Sequence, residues 1–535
     1  PNSVTSIGKY AFSDCNKLTS ITIPDGISYI GDYAFSGCKK LVEVKNKSTL
    51  NIVKGSSDNG YVAYYALIVH NNESKIQNID GFSFISDNNF NYLLGYNGDK
   101  TEVILPNNYL GEKYQIYEYA FYETNITSII IPYNVTSIGQ SAFSGCIRLT
   151  NVTIGNNVIS IGDYSFTGCS ELTSITIPKS VTSIGYWAFS GCYKLVEVIN
   201  KSSLNIVKGS QDNGYIGYYA LTIHNDESKI KNIDSFIFIT DYNTNYLLGY
   251  NGDKTELVLP NNYNGEKYQI YRYAFHKSNI TNITISDGVT SIGDSSFSNC
   301  SELTYITIGN GVTSIGDSAF SGCNGLAKVN ISNLEKWCSI SFRYYNSNPL
   351  YFAHNLYLNG QLVSDLIIPD NVTSIGKYTF LGCDRLSIIT IGNSVTSIGI
   401  SAFENCIRLT SITIPDNVTY IGENAFYGCN GLTKVNISSI EKWCSINFNS
   451  NPLFYAHDLY LNGQLVSDLI IPDNVTSIGA SAFEGCDKLT SITIPDSVTY
   501  IGENAFSDCS GLTKVNISSI EKWCSINFNS NPLFY

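Results

Sequence analysis

Val4–Gly26 reads VTSIGKYAFSDCNKLTSITIPDG, and Ile27 at once opens a second copy, ISYIGDYAFSGCKKL. Ile7 and Ile30 lie 23 residues apart, as do Cys15 and Cys38. Fourteen copies of this unit run through the 535-residue chain. A short fixed period marks a solenoid, in which each unit buries its apolar side against the next. Within the unit, Leu18–Ile23 alternates apolar and polar and is β-branched, so it predicts a strand. Ile21 and Ile23 face inward, Ser20 and Thr22 outward. Pro24 ends the strand and Asp25-Gly26 turns the chain. Val4–Gly8 predicts a second short extended piece. Tyr10–Cys15 predicts a single helical turn or tight bend that carries Phe12 inward. One unit cannot bury Ile7, Phe12, Leu18, Ile21 and Ile23 alone, but a stack can. The expected fold is a β-rich solenoid.

The repeats occupy residues 1–49, 113–203, 267–334, 372–440 and 475–520. Two β-rich insertions separate them, at 50–112 and 204–266. They are near copies: NIVKGSSDNGY from Asn51 becomes NIVKGSQDNGY from Asn205, and Cys38 and Cys192 are 154 residues apart. Thr101–Pro106 mimics LTSITIP, so the insertion is expected to re-enter the stack. A Trp-Cys connector with a hairpin fills 335–371, a second fills 441–474, and a truncated third fills 521–535. Asn333–Ile340 predicts a short helix with Trp337 covering the stack. Asn359-Gly360 predicts a hairpin turn before the strand that ends in LIIP.

The net charge of −13 and pI near 4.9 argue against a protein that tracks nucleic-acid phosphates and against a polybasic membrane contact. No apolar run is long enough to span a bilayer, so direct membrane insertion is not expected. Met is absent, Pro1 falls inside a unit, and the NSNPLFY segment stops short at Tyr535. The chain is therefore expected to be a piece of a longer protein.

The pattern VTSIGxxAFxxCxxLTSITIPDN resembles the BspA-type leucine-rich repeat, found on surface proteins of oral and gut bacteria and expanded in some parasitic protists. The likeness covers essentially the whole chain, with Ile and Val in place of Leu. It implies a right-handed leucine-rich-repeat superhelix, with a parallel sheet on one face and short helical turns or extended segments on the other. It also implies adhesion or protein–protein binding at a cell surface, with host, matrix or neighbouring-cell proteins as partners. Two other readings stay open: an intracellular or secreted repeat scaffold, and the accessory repeats of a larger enzyme.

Of fifteen cysteines, twelve share one repeat position, from Cys15 and Cys38 to Cys509, and Cys338, Cys444 and Cys524 follow Trp. They read as a buried column of free thiols behaving as small apolar residues. No CxxC pair exists, so neither metal nor cofactor is expected. Four of the five histidines recur with the duplications, His70 with His224 and His354 with His457. A catalytic site is built once, from dissimilar partners, so no catalytic residue is assigned.

Two candidate binding surfaces compete. One is the outward strand face: Ser20, Thr22, Asn151, Thr153, Tyr305 and Thr307, interrupted by Glu43/Lys45 and Lys434/Asn436. Its plainer reading is a Ser/Thr ladder that keeps a sheet face soluble. The other is the tyrosine set of the insertions: Tyr61, Tyr64, Tyr65, Tyr92 and Tyr96, with counterparts Tyr215, Tyr218, Tyr219, Tyr246 and Tyr250. These look exposed, and long insertions in repeat arrays often bind. Their plainer reading is packing of the rings onto the solenoid.

Overall fold

A computed structural model describes residues 3–528. Residues 529–535 of the truncated connector lie outside that range. The chain is a β-solenoid of turns of about 23 residues, dominated by parallel pairings, and it divides into two units, 1–230 and 231–535.

Each turn is hydrogen-bonded to its neighbours on three sides. On the first side the SITI strands pair in parallel, Ser20–Ile23 with Glu43–Asn46 and Tyr305–Ile308 with Lys328–Ile331. On the second, the Ser-Ile dipeptides of the VTSIG motif pair, Ser137-Ile138 with Ser160-Ile161. The Gly after this Ile is needed because turns approach closely there. A Cβ on Gly162 would sit 2.8 Å from the Gly139 carbonyl carbon and the Gln140 nitrogen.

The third side is a tight bend rather than a helical turn. Tyr10 and Asp14 have φ of 58° and 57°, left-handed values that interrupt any helix, and the equivalent Gly37 has φ of 75°. The alternation aims N–H groups at the next turn, Phe12 N–H to Ala34 O at 2.8 Å and Asp14 N–H to Ser36 O at 2.8 Å. The Phe rings then stack turn on turn, with centroids 4.9–5.6 Å apart, close to the spacing of paired strands.

The cysteine column does more than fill space. In nine turns the thiol donates to the carbonyl of the Phe one turn earlier, as Cys169 Sγ does to Phe143 O at 3.3 Å. Thr124 occupies the position in a Cys-less turn and its hydroxyl bonds Phe121 O at 2.9 Å. Burial pushes the Cys192 thiol up to about 12, which keeps it protonated and able to donate. Cys15 is the exception in this column: it is exposed, because among the described residues no turn precedes it.

The insertion at 50–112 is divided among three tasks. Residues 50–70 form one more, irregular turn: Ile68–His70 pairs with Glu43–Lys45, and Phe35 N–H donates to Gly60 O at 2.7 Å. Gln77–Ile79, Phe82–Asp87 and Phe90–Tyr96 form an antiparallel cap. Glu102–Ile104 then starts a new parallel sheet with Ser128–Ile130. Alternation gives the cap two buried faces. Phe84 and Leu93 join the core that follows, while Ile85 and Leu94 form a separate small cluster with Val42, Leu67 and Ile68 of the preceding turns.

In the second unit, the connectors interrupt the stack differently. Leu334–Cys338 is a short helix capped by Asn333, whose side chain accepts from Lys336 N–H. Trp337 is buried and its Nε1–H donates to Thr379 O at 3.0 Å; Trp443 repeats this with Ala482 O at 2.7 Å. A hairpin closes each sheet: Asn359 and Gly360, both at positive φ, join Leu356–Leu358 to Gln361-Leu362 in antiparallel pairing. Asp365–Ile367 opens the next sheet. No helix among the described residues is long and apolar enough to cross a membrane.

Candidate functional site

The outward strand residues fall on four separate hydrogen-bonded sheets, two in each unit. Ser20, Thr22, Glu43 and Lys45 share a three-stranded sheet, with Ser20 opposite Glu43 and Thr22 opposite Lys45. Asn151 and Thr153 are exposed on another three-stranded sheet. In the second unit, Tyr305 and Thr307 pair with Lys328 and Asn330, whereas Lys434 and Asn436 pair with Ser411 and Thr413 in a different six-stranded sheet. Each of these two sheets carries a groove, of about 550 Å³ beside Tyr305 and Lys328 and about 620 Å³ beside Thr413 and Asn436. Lysine lies over a tyrosine ring in both, Lys328 5.6 Å from Tyr357 and Lys434 4.2 Å from Tyr460.

Glu43 leaves the list of ligand-facing groups. It is 0% exposed, because residues 70–75 fold back over its strand. Ser74 Oγ–H donates to its Oε2 at 2.6 Å, and Lys75 N–H and His70 Nε2 reach Oε1 at 2.6 and 3.0 Å. Asn72 N–H donates to His70 Nδ1 at 3.1 Å, which assigns the ring proton to Nε2 and the acceptor role to Nδ1. Burial alone would raise the Glu43 carboxyl, but the bonds from Ser74, Lys75 and His70 outweigh it and hold it below its usual value. Glu197, His224 and Ser228 reproduce the geometry in the second copy. Although serine, histidine and glutamate meet here, the serine bonds the carboxylate and not the imidazole, so no base activates it.

The other histidines also have structural bonds. His354 and His457 sit at positive φ after short helices, with Nδ1 3.1 and 3.0 Å from the carbonyls of Gly382 and Gly485. His276 Nδ1 lies 2.6 Å from Ser298 Oγ. Among the described residues, no group of three or more His, Cys, Asp or Glu is placed to hold a metal ion.

The insertion tyrosines separate into two classes. Tyr92 and Tyr96 pack on Tyr117 and Phe82, and Tyr246 and Tyr250 on Tyr271 and Phe236, so these four are half-buried parts of the cap strands rather than exposed rings. Tyr61, Tyr64 and Tyr65 join a continuous aromatic run. Tyr10, Tyr33 and Tyr61 stack at 5.6 and 5.5 Å, and Tyr64 and Tyr65 follow at 5.3 and 4.9 Å. The second copy has Tyr164, Trp187, Tyr215, Tyr218 and Tyr219 in the same order. Tyr64 is 45% exposed, Tyr218 and Trp187 38%, while Tyr61, Tyr65, Tyr215 and Tyr219 are half-buried. Sequence reading missed Tyr10, Tyr33 and Trp187. Their signal was the position before Ala-Phe, where positive φ turns the side chain out of the stack.

The pattern of the BspA type Leucine rich repeat region matches residues 1–93, 114–245, 268–363, 351–456 and 456–533. The chain belongs to this family. The BspA-type motif therefore accounts for the interior positions, and the aromatic runs and lysine–tyrosine pairs lie where its copies vary. Among solved structures, the chain is similar to a leucine rich cell surface protein from Faecalibacterium prausnitzii, at 22% identity over 86% of this chain and 99% of that one, with a TM-score of 0.23. A leucine-rich repeat protein from Bacteroides ovatus is 24% identical over 85% and 98%, with a TM-score of 0.32. Another, from Bacteroides capillosus, is 29% identical over 24% and 100%, with a TM-score of 0.22. No curated protein matches the chain.

Proposed function

We propose that this chain is a non-enzymatic binding module that mediates protein–protein contact or adhesion at a cell surface. The observation that carries the reading is the aromatic run, present twice in the first unit, with Tyr33 and Tyr64 in one copy and Trp187 and Tyr218 in the other open to solvent. Tyrosine and tryptophan are the residues on which protein interfaces concentrate their energy, since they bring large area at small entropic cost. Two copies on one chain convert weak single contacts into avidity. The surface location rests on family membership. The partners are host, matrix or neighbouring-cell proteins, contacted through these rings rather than through a basic face.

The test is saturable binding of the whole chain to immobilised matrix proteins and to fixed host cells. Deleting the insertions would remove strand Glu102–Ile104 and the cap strand Phe90–Tyr96 on which Tyr114–Ile116 pairs, and so break the stack. Substitution is cleaner: Tyr33→Ser with Tyr64→Ser, and Trp187→Ser with Tyr218→Ser. Loss of about tenfold or more per pair is expected, with a larger loss when both are combined. Binding unchanged in the combined variant would remove the aromatic runs from the interface and favour the grooves on the strand face.

A further inference from the structure

The first unit contains a cleft of about 640 Å³ between the first repeats and the cap and turn that open the next stack. Asn16, Lys17, Thr19 and Lys40 line one side, and Tyr96, Lys100, Thr101 and Tyr122 the other. Two of its polar groups have unmet needs. The Lys40 ammonium carries three donors and gives one to Ala120 O at 3.0 Å. Burial holds its pKa below the ordinary lysine value, and the like charge of Lys17 adds to this. Asn16 Oδ1 is an inaccessible acceptor with no donor among the described residues. An enclosed acceptor of this kind is served by a buried water, so the lysines carry the case for a ligand.

The duplicated block supplies an internal control. The copy of Lys40 is Lys194, and the copy of Lys17 is Glu171. Lys194 is neutralised there by Glu171, at 2.8 Å. In the first copy that carboxylate is replaced by a second cation, so the lysine is left waiting for an anion from outside. Asp99 and Glu123 also line the cleft, but both are exposed, whereas Lys40 is not.

We propose that this cleft binds the acidic residue of a saccharide. Its carboxylate meets Lys40 and Lys17. Thr19 and Thr101 supply further hydroxyls, and Tyr96 and Tyr122 supply apolar surface for the ring. The volume falls in the range of small-molecule sites and takes one or two sugar units. The first aromatic run continues from Tyr65 through Tyr119 to Tyr122 on the cleft wall, but Tyr33 and Tyr64 do not line the cleft, so the two sites are tested by different substitutions.

The experiment is titration of the whole chain with N-acetylneuraminate and with glucuronate, followed by saturation-transfer NMR and calorimetry. Methyl glucoside and sodium sulfate serve as comparison ligands. Saturable binding of at least one acid sugar in the millimolar range or tighter is expected, with methyl glucoside weaker by about tenfold or more. Lys17→Glu installs the residue of the second copy, which folds with it, and is expected to weaken binding by about tenfold. Lys17→Arg retains it. The proposal is overturned if neither acid sugar binds, if methyl glucoside binds equally, or if Lys17→Glu matches wild type. It is also overturned if sulfate displaces the sugar at equal concentration, which would make this an anion site only.

Discussion

The stack is interrupted by two devices that do the same job with opposite chemistry. After Glu43 the ladder takes one more strand, Ile68–His70, and closes over a buried carboxylate held by Ser74, Lys75 and His70. At the connectors it ends on a buried indole, with Trp443 donating to Ala482 O and the Asn451 amide donating to the carbonyls of Ser481 and Ala482. The carboxylate device leaves a long segment free to build a cap with two apolar faces and, beside it, a cleft. The indole device is compact and passes directly from one sheet to the next. The difference shows why a repeat protein keeps polar interruptions. They cost desolvation, which must be offset by complete hydrogen bonding, but they open space that a packed ring would fill.

The comparison is broken most severely by Trp443→Ala. It leaves a cavity in the second unit and leaves the Ala482 carbonyl with the Asn451 amide in place of two donors, and about 3–5 kcal/mol of stability is expected to be lost. Hydrogen exchange of the Asp468–Ile470 strand, read against the distant strands of the first unit, measures it. Glu43→Gln is next, at about 2 kcal/mol, because the amide cannot accept from all three donors. Its signature is local: faster exchange of the Lys75 amide.

Acid sharpens the same contrast. The folded Glu43 carboxyl titrates below its unfolded value of about 4.3. Its contribution is therefore fully present above that value and is lost as pH falls through the lower, folded one. The Lys75 amide should lose protection across this window. The Trp443 connector, whose donors Nε1–H and the Asn451 amide do not titrate there, should not follow.

Smaller effects concern the column and the surface. Native protein should react at Cys15 and Cys524 with a thiol reagent promptly and at the thirteen buried cysteines slowly. Cys192→Ala is expected to cost about 1 kcal/mol by losing the bond to Phe166 O, whereas Cys192→Ser should cost less because a hydroxyl can donate in its place. Tyr64→Ser should leave stability within about 0.5 kcal/mol while weakening adhesion. A large stability loss would mean that the ring holds the insertion in place instead of meeting a partner.

Periodicity alone determined the inward positions, filled by Ile138, Phe143, Leu149, Val152 and Ile154 in a turn covered on both sides, the strand and its Pro stop, and the re-entry of Thr101–Pro106, because every copy repeats the same burial problem; Phe12, in the first described turn, is expected inward and is instead 37% exposed, with no turn among the described residues to cover it. It also located the Asn359-Gly360 hairpin, since that dipeptide has a local conformational preference. Only the tertiary structure decided what happens where a copy meets something other than a copy. Glu43 occupies an outward position by alternation and is buried because residues 27–32 positions later fold over it. Tyr10 and Tyr33 become a surface run because φ near +57° turns them out, a backbone state that the sequence does not announce for tyrosine. Lys17 and Lys40 look like any solvated pair until the cap encloses one of them beside an unpartnered Asn16. A repeat specifies its interior through nearest neighbours, whereas the exceptions depend on contacts between segments that the period does not relate.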